Sequence, residues 1–226
     1  MKLKVSLAVV ALLAFMVMAP LAARADFLSI GIAVNDANPA DATTVQTSSS
    51  GVVAYSFPTA TATIPFTITV GGQGYPIVQN PNFFTNTLDV KNFGSGSNTL
   101  YVYITSQNMM GGLGTGTLMS YLTSNILNSG GALTINTYYS DTNQLYAGTL
   151  LKSLNVPPAG TVSSTFTGVS LTAPYSETVE YIFTASTIGA TANANADILG
   201  APEPASLSLL GFGIVGLGAL RKKLRK

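Results

Sequence analysis

The chain has 226 residues, with ten basic and nine acidic side chains and no cysteine, histidine or tryptophan. From Asp26 to Pro204 the only cations are Lys91 and Lys152, set against nine carboxylates, so this segment carries a net charge of −7. Two cations cannot neutralise a nucleic-acid backbone, and without Cys or His there are no thiol nucleophiles, no serine-triad bases and none of the usual zinc ligands.

Lys2 and Lys4 precede an apolar stretch from Val5 to Met18, and Ala23-Arg24-Ala25 supplies a small-x-small pattern. That order reads as a secretory signal helix, residues 1–25, removed by signal peptidase before Asp26. The stretch falls short of the ~20 apolar residues that a membrane span requires.

Residues 26–190 read as β. Leu28, Ile30, Ile32 and Val34 form a first alternating strand. A loop over 35–51 follows, in which Asn35, Asp36, Asn38 and Asp41 place four oxygen donors within seven residues. Such donors build ordinary turns, and they also suit a hard cation such as calcium. Calcium, on Asp36, Asn38 and Asp41, is the one cofactor the sequence suggests; otherwise none is expected. The loop is not an EF-hand, because the central Gly and terminal Glu are missing.

Ala60 to Val70 shows the longest alternation, with apolar residues at even positions and mostly threonine between them. Pro65 cannot donate to a ladder, so an edge or a bulge is expected there. Leu100, Val102 and Ile104 mark another strand. Leu118, Tyr121, Leu122 and Ile126 share a face at helical spacing, which predicts a short helix. Leu133, Ile135 and Thr137 return to period two.

Tyr138, Tyr139 and Tyr146, with Asn136, Asp141 and Asn143 nearby, are candidates for a sugar platform. Aromatic faces can stack on sugars while amides hold the hydroxyls, although strand tyrosines often simply pack. Val162 to Leu171 changes phase near Gly168, as a bulge would cause. Val179, Tyr181, Phe183 and Ala185 form the last predicted strand. Glu177 and Glu180 lie three apart and so point to opposite faces, which keeps them from acting as a carboxylate pair. A solvent-side or strand-end position is expected for both. Residues 191–201 are small and polar and read as a linker.

The expected fold is an all-β antiparallel sandwich, jelly-roll or immunoglobulin-like, with about eight to ten strands and one short helix. Ser and Thr supply 45 of the 179 residues from Asp26 to Pro204, and Asn another 15. Hydroxyls and amides thus replace charge on the surface, a composition suited to contact with sugars.

The chain closes on three parts. Pro202-Glu203-Pro204 is a short polar motif; Ala205 to Leu220 is a Gly/Leu-rich apolar run; Arg221, Lys222, Lys223, Arg225 and Lys226 form a basic stop. The run of 16 residues covers about 24 Å as a helix, a little less than the ~30 Å hydrocarbon core. A transmembrane helix is expected there, with the basic end held in the cytoplasm.

Taken together, residues 202–226 resemble the PEP-CTERM sorting signal of exported bacterial proteins, with Ala201 standing where that family usually has Val. The resemblance implies a Gram-negative host and an exosortase-type membrane protease as processing partner. It further implies a transient membrane anchor and release to the cell surface or an exopolysaccharide matrix. The expected function is therefore that of a non-catalytic surface or biofilm-matrix protein. A carbohydrate- or calcium-binding adhesin module is the alternative, and a carboxylate-based hydrolase a second one.

Overall fold

A computed structural model describes residues 26–200 apart from 111–113, 129 and 157–159. The predicted signal peptide with its Ala23 and Ala25 cleavage pattern, the Pro202–Pro204 motif, the transmembrane run and the basic stop lie outside the described residues.

Twelve strands are found among the described residues. In chain order they are β1 (Phe27–Val34), β2 (Thr43–Ser48), β3 (Val52–Phe57), β4 (Phe66–Gln73), β5 (Phe83–Asn92) and β6 (Asn98–Met109). There follow β7 (Gly114–Leu127), β8 (Gly131–Ser140), β9 (Thr149–Asn155), β10 (Gly160–Leu171), β11 (Tyr175–Ala185) and β12 (Thr191–Gly200). One 3-10 turn, Pro39–Asp41, lies between β1 and β2.

The strands form two six-stranded sheets. The first, sheet A, runs β2-β1-β6-β11-β8-β9, and the second, sheet B, runs β10-β7-β12-β5-β4-β3. Every pairing is antiparallel. The two sheets pack face to face as the expected sandwich, with twelve strands among the described residues where about eight to ten were expected.

Alternation decides which side chains enter the core. Leu28, Ile30, Leu100, Val102, Ile104, Val179, Tyr181 and Phe183 point inward from sheet A and are fully buried. Phe66, Ile68, Val70, Phe83, Leu88 and Val90 answer them from sheet B. Each such side chain contributes about 1.5–3 kcal/mol on leaving water. Phe66 meets Phe183 edge-on, with ring centroids 6.1 Å apart, and ties the sheets together. Of the four edge strands, β2 and β10 are Ser/Thr-rich. Beyond Leu171, no residue of either is fully buried.

Three predicted elements are corrected. The segment expected to be helical is strand β7, and Leu118, Ser120 and Leu122 all face the core. Ser120 and Ser124 are buried there with unbonded hydroxyls. On the strand alongside, Ser124 pairs with Ala194 and Ser120 with Ile198.

That neighbour is β12, which occupies the stretch expected to be a linker. Ala192, Ala194, Ala196 and Ile198 are fully buried, so the β body extends through Gly200. The long alternating run begins later than predicted, at Phe66. Before it, Thr61 N–H donates to Ile64 O at 2.8 Å in a turn, and Pro65 stands just ahead of the ladder it cannot join. The phase change at Gly168 is present as a register shift between Thr167 and Val169.

Candidate functional site

The oxygen donors of the β1–β2 loop cap a turn. Asn38 N–H donates to Asp36 Oδ1 at 3.0 Å, and Ala40 N–H donates to Asn38 Oδ1 at 3.2 Å. Asn38 Nδ2 donates to Asp41 Oδ2. The loop donors are thus bonded to one another and to the backbone. Asp36 and Asp41 line a cleft of about 340 Å³ that also meets Ile32, Thr43, Val45 and Ile64.

Tyr138, Tyr139 and Tyr146 do not make one platform. Tyr138 and Tyr139 are consecutive on β8 and point to opposite faces of sheet A. The Tyr138 hydroxyl donates to Glu180 Oε2 at 2.7 Å on the outer face. Tyr139 turns inward, packs on Tyr175 at 5.8 Å between ring centroids, and donates to Ser170 O. Tyr146 is buried under the β8–β9 loop, against Gly31 and 5.7 Å from the ring of Tyr103, with its hydroxyl donating to Thr44 Oγ1 at 2.9 Å.

Glu177 and Glu180, expected on the solvent side or at a strand end, are both buried, Glu177 near the start of β11. The cause is the position of β11 at the centre of sheet A, with the sandwich on one side and the β8–β9 loop on the other. Ser176 Oγ donates to Gln144 O of that loop at 2.6 Å, and Tyr146 N–H donates to Thr105 Oγ1 at 3.2 Å. Glu180 faces outward and accepts from Asn136 Nδ2 and from Tyr138, both at 2.7 Å. Burial, and next the charge and hydrogen bond of Glu180, push the hydroxyl pKa of Tyr103 upward. For Tyr138 the order is burial, then the hydrogen bond to Glu180. The Glu180 carboxylate is thus held by donors of its own sheet, while Asn136 Oδ1 is buried without a partner. Glu177 faces the other way, into the sandwich.

A different set of residues lies on the outer face of sheet B. Tyr121 of β7 pairs with Asp197 of β12, and Asp197 pairs with Phe84 of β5. The same row continues to Gln73 of β4 and, on the other side, to Ser163 of β10. Tyr121, Asp197 and Phe84 are each partly exposed. Directly paired side chains stand about 5 Å apart at Cβ. An acid is therefore flanked by two aromatic rings across three strands. Asn195 and Asn193 lie on the same side of β12 by alternation.

Burial pushes the Asp197 carboxyl up to about 6, against a hydrogen bond from the Thr85 backbone that pulls it down. The row offers two apolar ring faces, an acceptor that is ionised at neutral pH, and amides alongside. Those are the chemical needs of a ligand with alternating apolar and hydroxyl surface. Sequence spacing did not show this group, because Phe84, Tyr121 and Asp197 come from three distant strands.

The end of β12 adds the remaining observation. Residues 201–223 match the PEP-CTERM protein-sorting motif. The chain ends in a PEP-CTERM motif. In sequence this motif follows β12 without a break, since Gly200 closes the strand and the match begins at residue 201. The PEP-CTERM segment is thus tethered to the strand that carries Asp197.

No curated protein matches the chain. Among solved structures, it is similar to TmCBM61 in complex with β-1,4-galactotriose, at 10% identity and TM-score 0.31, covering 51% of this chain and 71% of that one. It is similar to the C-terminal CBM6 of LamC, a laminarinase of Zobellia galactanivorans, at 16% identity and TM-score 0.29, covering 49% and 78%. It is also similar to the K1 cleaved adhesin domain of Lys-gingipain from Porphyromonas gingivalis W83, at 12% identity and TM-score 0.34, covering 67% and 99%.

Proposed function

We propose that this chain is a non-catalytic exported protein of a Gram-negative bacterium, held at the cell surface or in an exopolysaccharide matrix. Signal peptidase removes residues 1–25, and an exosortase-type protease acts at the PEP-CTERM motif after the apolar run has anchored the chain. The observation that carries this reading is the tail motif, a sorting signal, attached directly to a hydroxyl-rich sandwich. The working surface is the outer face of sheet B, where Tyr121 and Phe84 stack against polysaccharide and Asp197 accepts its hydroxyls.

The non-catalytic reading rests on the row itself. Glycoside hydrolysis needs two carboxyl groups across the scissile bond. The row Ser163, Tyr121, Asp197, Phe84, Gln73 contains one acid.

Intact mass on native cell fractions tests the sorting. The expected result is a species in the matrix or surface fraction that starts at Asp26 and ends near Pro204, or carries an added group there. A species retaining Lys226, confined to the membrane fraction, would make the tail a plain anchor and end the matrix reading.

A further inference from the structure

Two buried carboxyl groups, Asp26 and Glu177, both neighbour Ser106 inside the sandwich near the start of β1. Leu28, Ser106 and Glu177 lie in one row across β1, β6 and β11, so Ser106 and Glu177 are direct neighbours on the core side. Ser106 Oγ in turn donates to Asp26 Oδ2 at 3.1 Å. Asp26 also accepts from Tyr75 N–H at 2.9 Å and from Asn80 Nδ2 at 3.2 Å. Asp26 and Glu177 are both fully buried.

Glu177 is the unusual member. Neither of its carboxylate oxygens has a hydrogen-bond partner, and Asn80 Oδ1 is also shielded from solvent without one. A buried carboxylate left in that state is costly unless a charge meets it. Among the described residues no cationic side chain is at hand. Of the two lysines in the sandwich, Lys91 sits over the ring of Phe93 and Lys152 is exposed on β9. A proton shared between the two acids would place their oxygens in a hydrogen bond, which Glu177 does not make. An α-ammonium on a chain cut before Asp26 would start from a nitrogen already bonded to Tyr75 O at 3.1 Å.

We infer that Asp26 and Glu177, with Asn80 Oδ1 and Ser106 Oγ, form a buried binding site for a divalent hard cation of the calcium class. On the uncut chain the charges cancel, two against two. All donors are oxygens, as such a cation prefers, and Glu177 is free to bind through both of its own. A half-turn of the Asn80 amide exchanges its nitrogen for its oxygen beside Asp26. Gly74 makes room, since a Cβ there would lie 3.1 Å from Asp26 Oδ2 and 3.2 Å from Ser106 Oγ. The site ties the start of β1 to β6 and β11 and to the 74–80 loop. It is distinct from the β1–β2 loop donors and independent of the polysaccharide reading.

The test is thermal unfolding of the full chain in mild detergent, in EDTA and in excess calcium chloride, with terbium luminescence sensitised by the nearby Tyr175 and Tyr139. Calcium should raise Tm by about 5 °C or more. Glu177→Gln should abolish that rise and cut terbium emission at least tenfold, while unfolding in EDTA no earlier than wild type. The double variant Asp36→Asn, Asp41→Asn should keep the full rise, and this control holds even if Glu177→Gln fails to fold. A wild-type Tm equal in EDTA and calcium would overturn the inference in favour of a proton or an ammonium. Loss of the rise in the Asp36, Asp41 double variant would overturn it in favour of the loop.

Discussion

Asp197 stands directly opposite Tyr121 across β12 and β7, on the outer face of sheet B. On the proposed polysaccharide reading, the Asp197 carboxyl makes binding sensitive to pH. With its carboxyl raised to about 6, Asp197 is a full acceptor only above that value. Affinity for a polyhydroxyl ligand is expected to rise as pH goes from 5 to 7 and then level off. Asp197→Asn should flatten the profile, measured by isothermal titration at several pH values.

The same group affects stability with a definite sign. The folded state binds the Asp197 proton more tightly than the unfolded chain, whose carboxyl has the ordinary value of 3.8. The contribution of this residue is therefore most favourable at low pH. It falls as pH rises from 3.8 to about 6 and is flat above. Asp197→Asn should stabilise the protein at pH 7 by on the order of 1 kcal/mol, after allowance for solvent screening, and by nothing at pH 3. Urea unfolding of both proteins at the two pH values checks this.

Inside the sandwich, Thr85 of β5 holds the sheets together through its hydroxyl. Thr85 Oγ1 donates to Ala196 O, accepts from Ala196 N–H at 3.1 Å, and meets the hydroxyl of Tyr181 from sheet A. The group sits where the β12–β5 register shifts between Ala194 and Ala196. Tyr181→Phe removes one bond and should cost about 1 kcal/mol. Thr85→Val leaves three polar partners without it and should cost about 2–4 kcal/mol. Equal losses in the two variants, by chemical denaturation, would contradict this ranking.

Gly31 is required by the ring above it. A Cβ there would lie 2.6 Å from two ring carbons of Tyr146. Gly31→Ala should displace Tyr146, free the β8–β9 loop from sheet A, and cost about 1–3 kcal/mol. Faster amide exchange across residues 141–148, including the Tyr146 N–H now held by Thr105, is the expected readout.

Much of the sandwich was legible from alternation alone. Leu28 to Val34, Leu100 to Ile104 and Val179 to Ala185 carry bulky apolar residues at every second position, and all three are core strands. Two elements were missed for opposite reasons. In β7, Leu118, Leu122 and Ile126 are spaced by four, which fits a strand face and a helix face alike. Ser120 and Ser124, interleaved with them at even positions, are polar for a core face. In β12 the inward residues are mostly alanines, whose period carries little hydrophobic signal. The candidate site could not be read at all from local spacing. Phe84, Tyr121 and Asp197 become neighbours only through the strand register of sheet B, which depends on the whole fold. The tail was the reverse case, because a sorting signal is read by another protein as a linear pattern.

The most direct test of the account is equilibrium binding of the full chain to exopolysaccharide purified from the producing cells, wild type beside the double variant Phe84→Ala, Tyr121→Ala. Each stacked ring contributes on the order of 1 kcal/mol, so the account predicts a loss of about tenfold or more in affinity with Tm nearly unchanged. Wild-type binding that the double variant retains in full, or no binding by either protein, would contradict it.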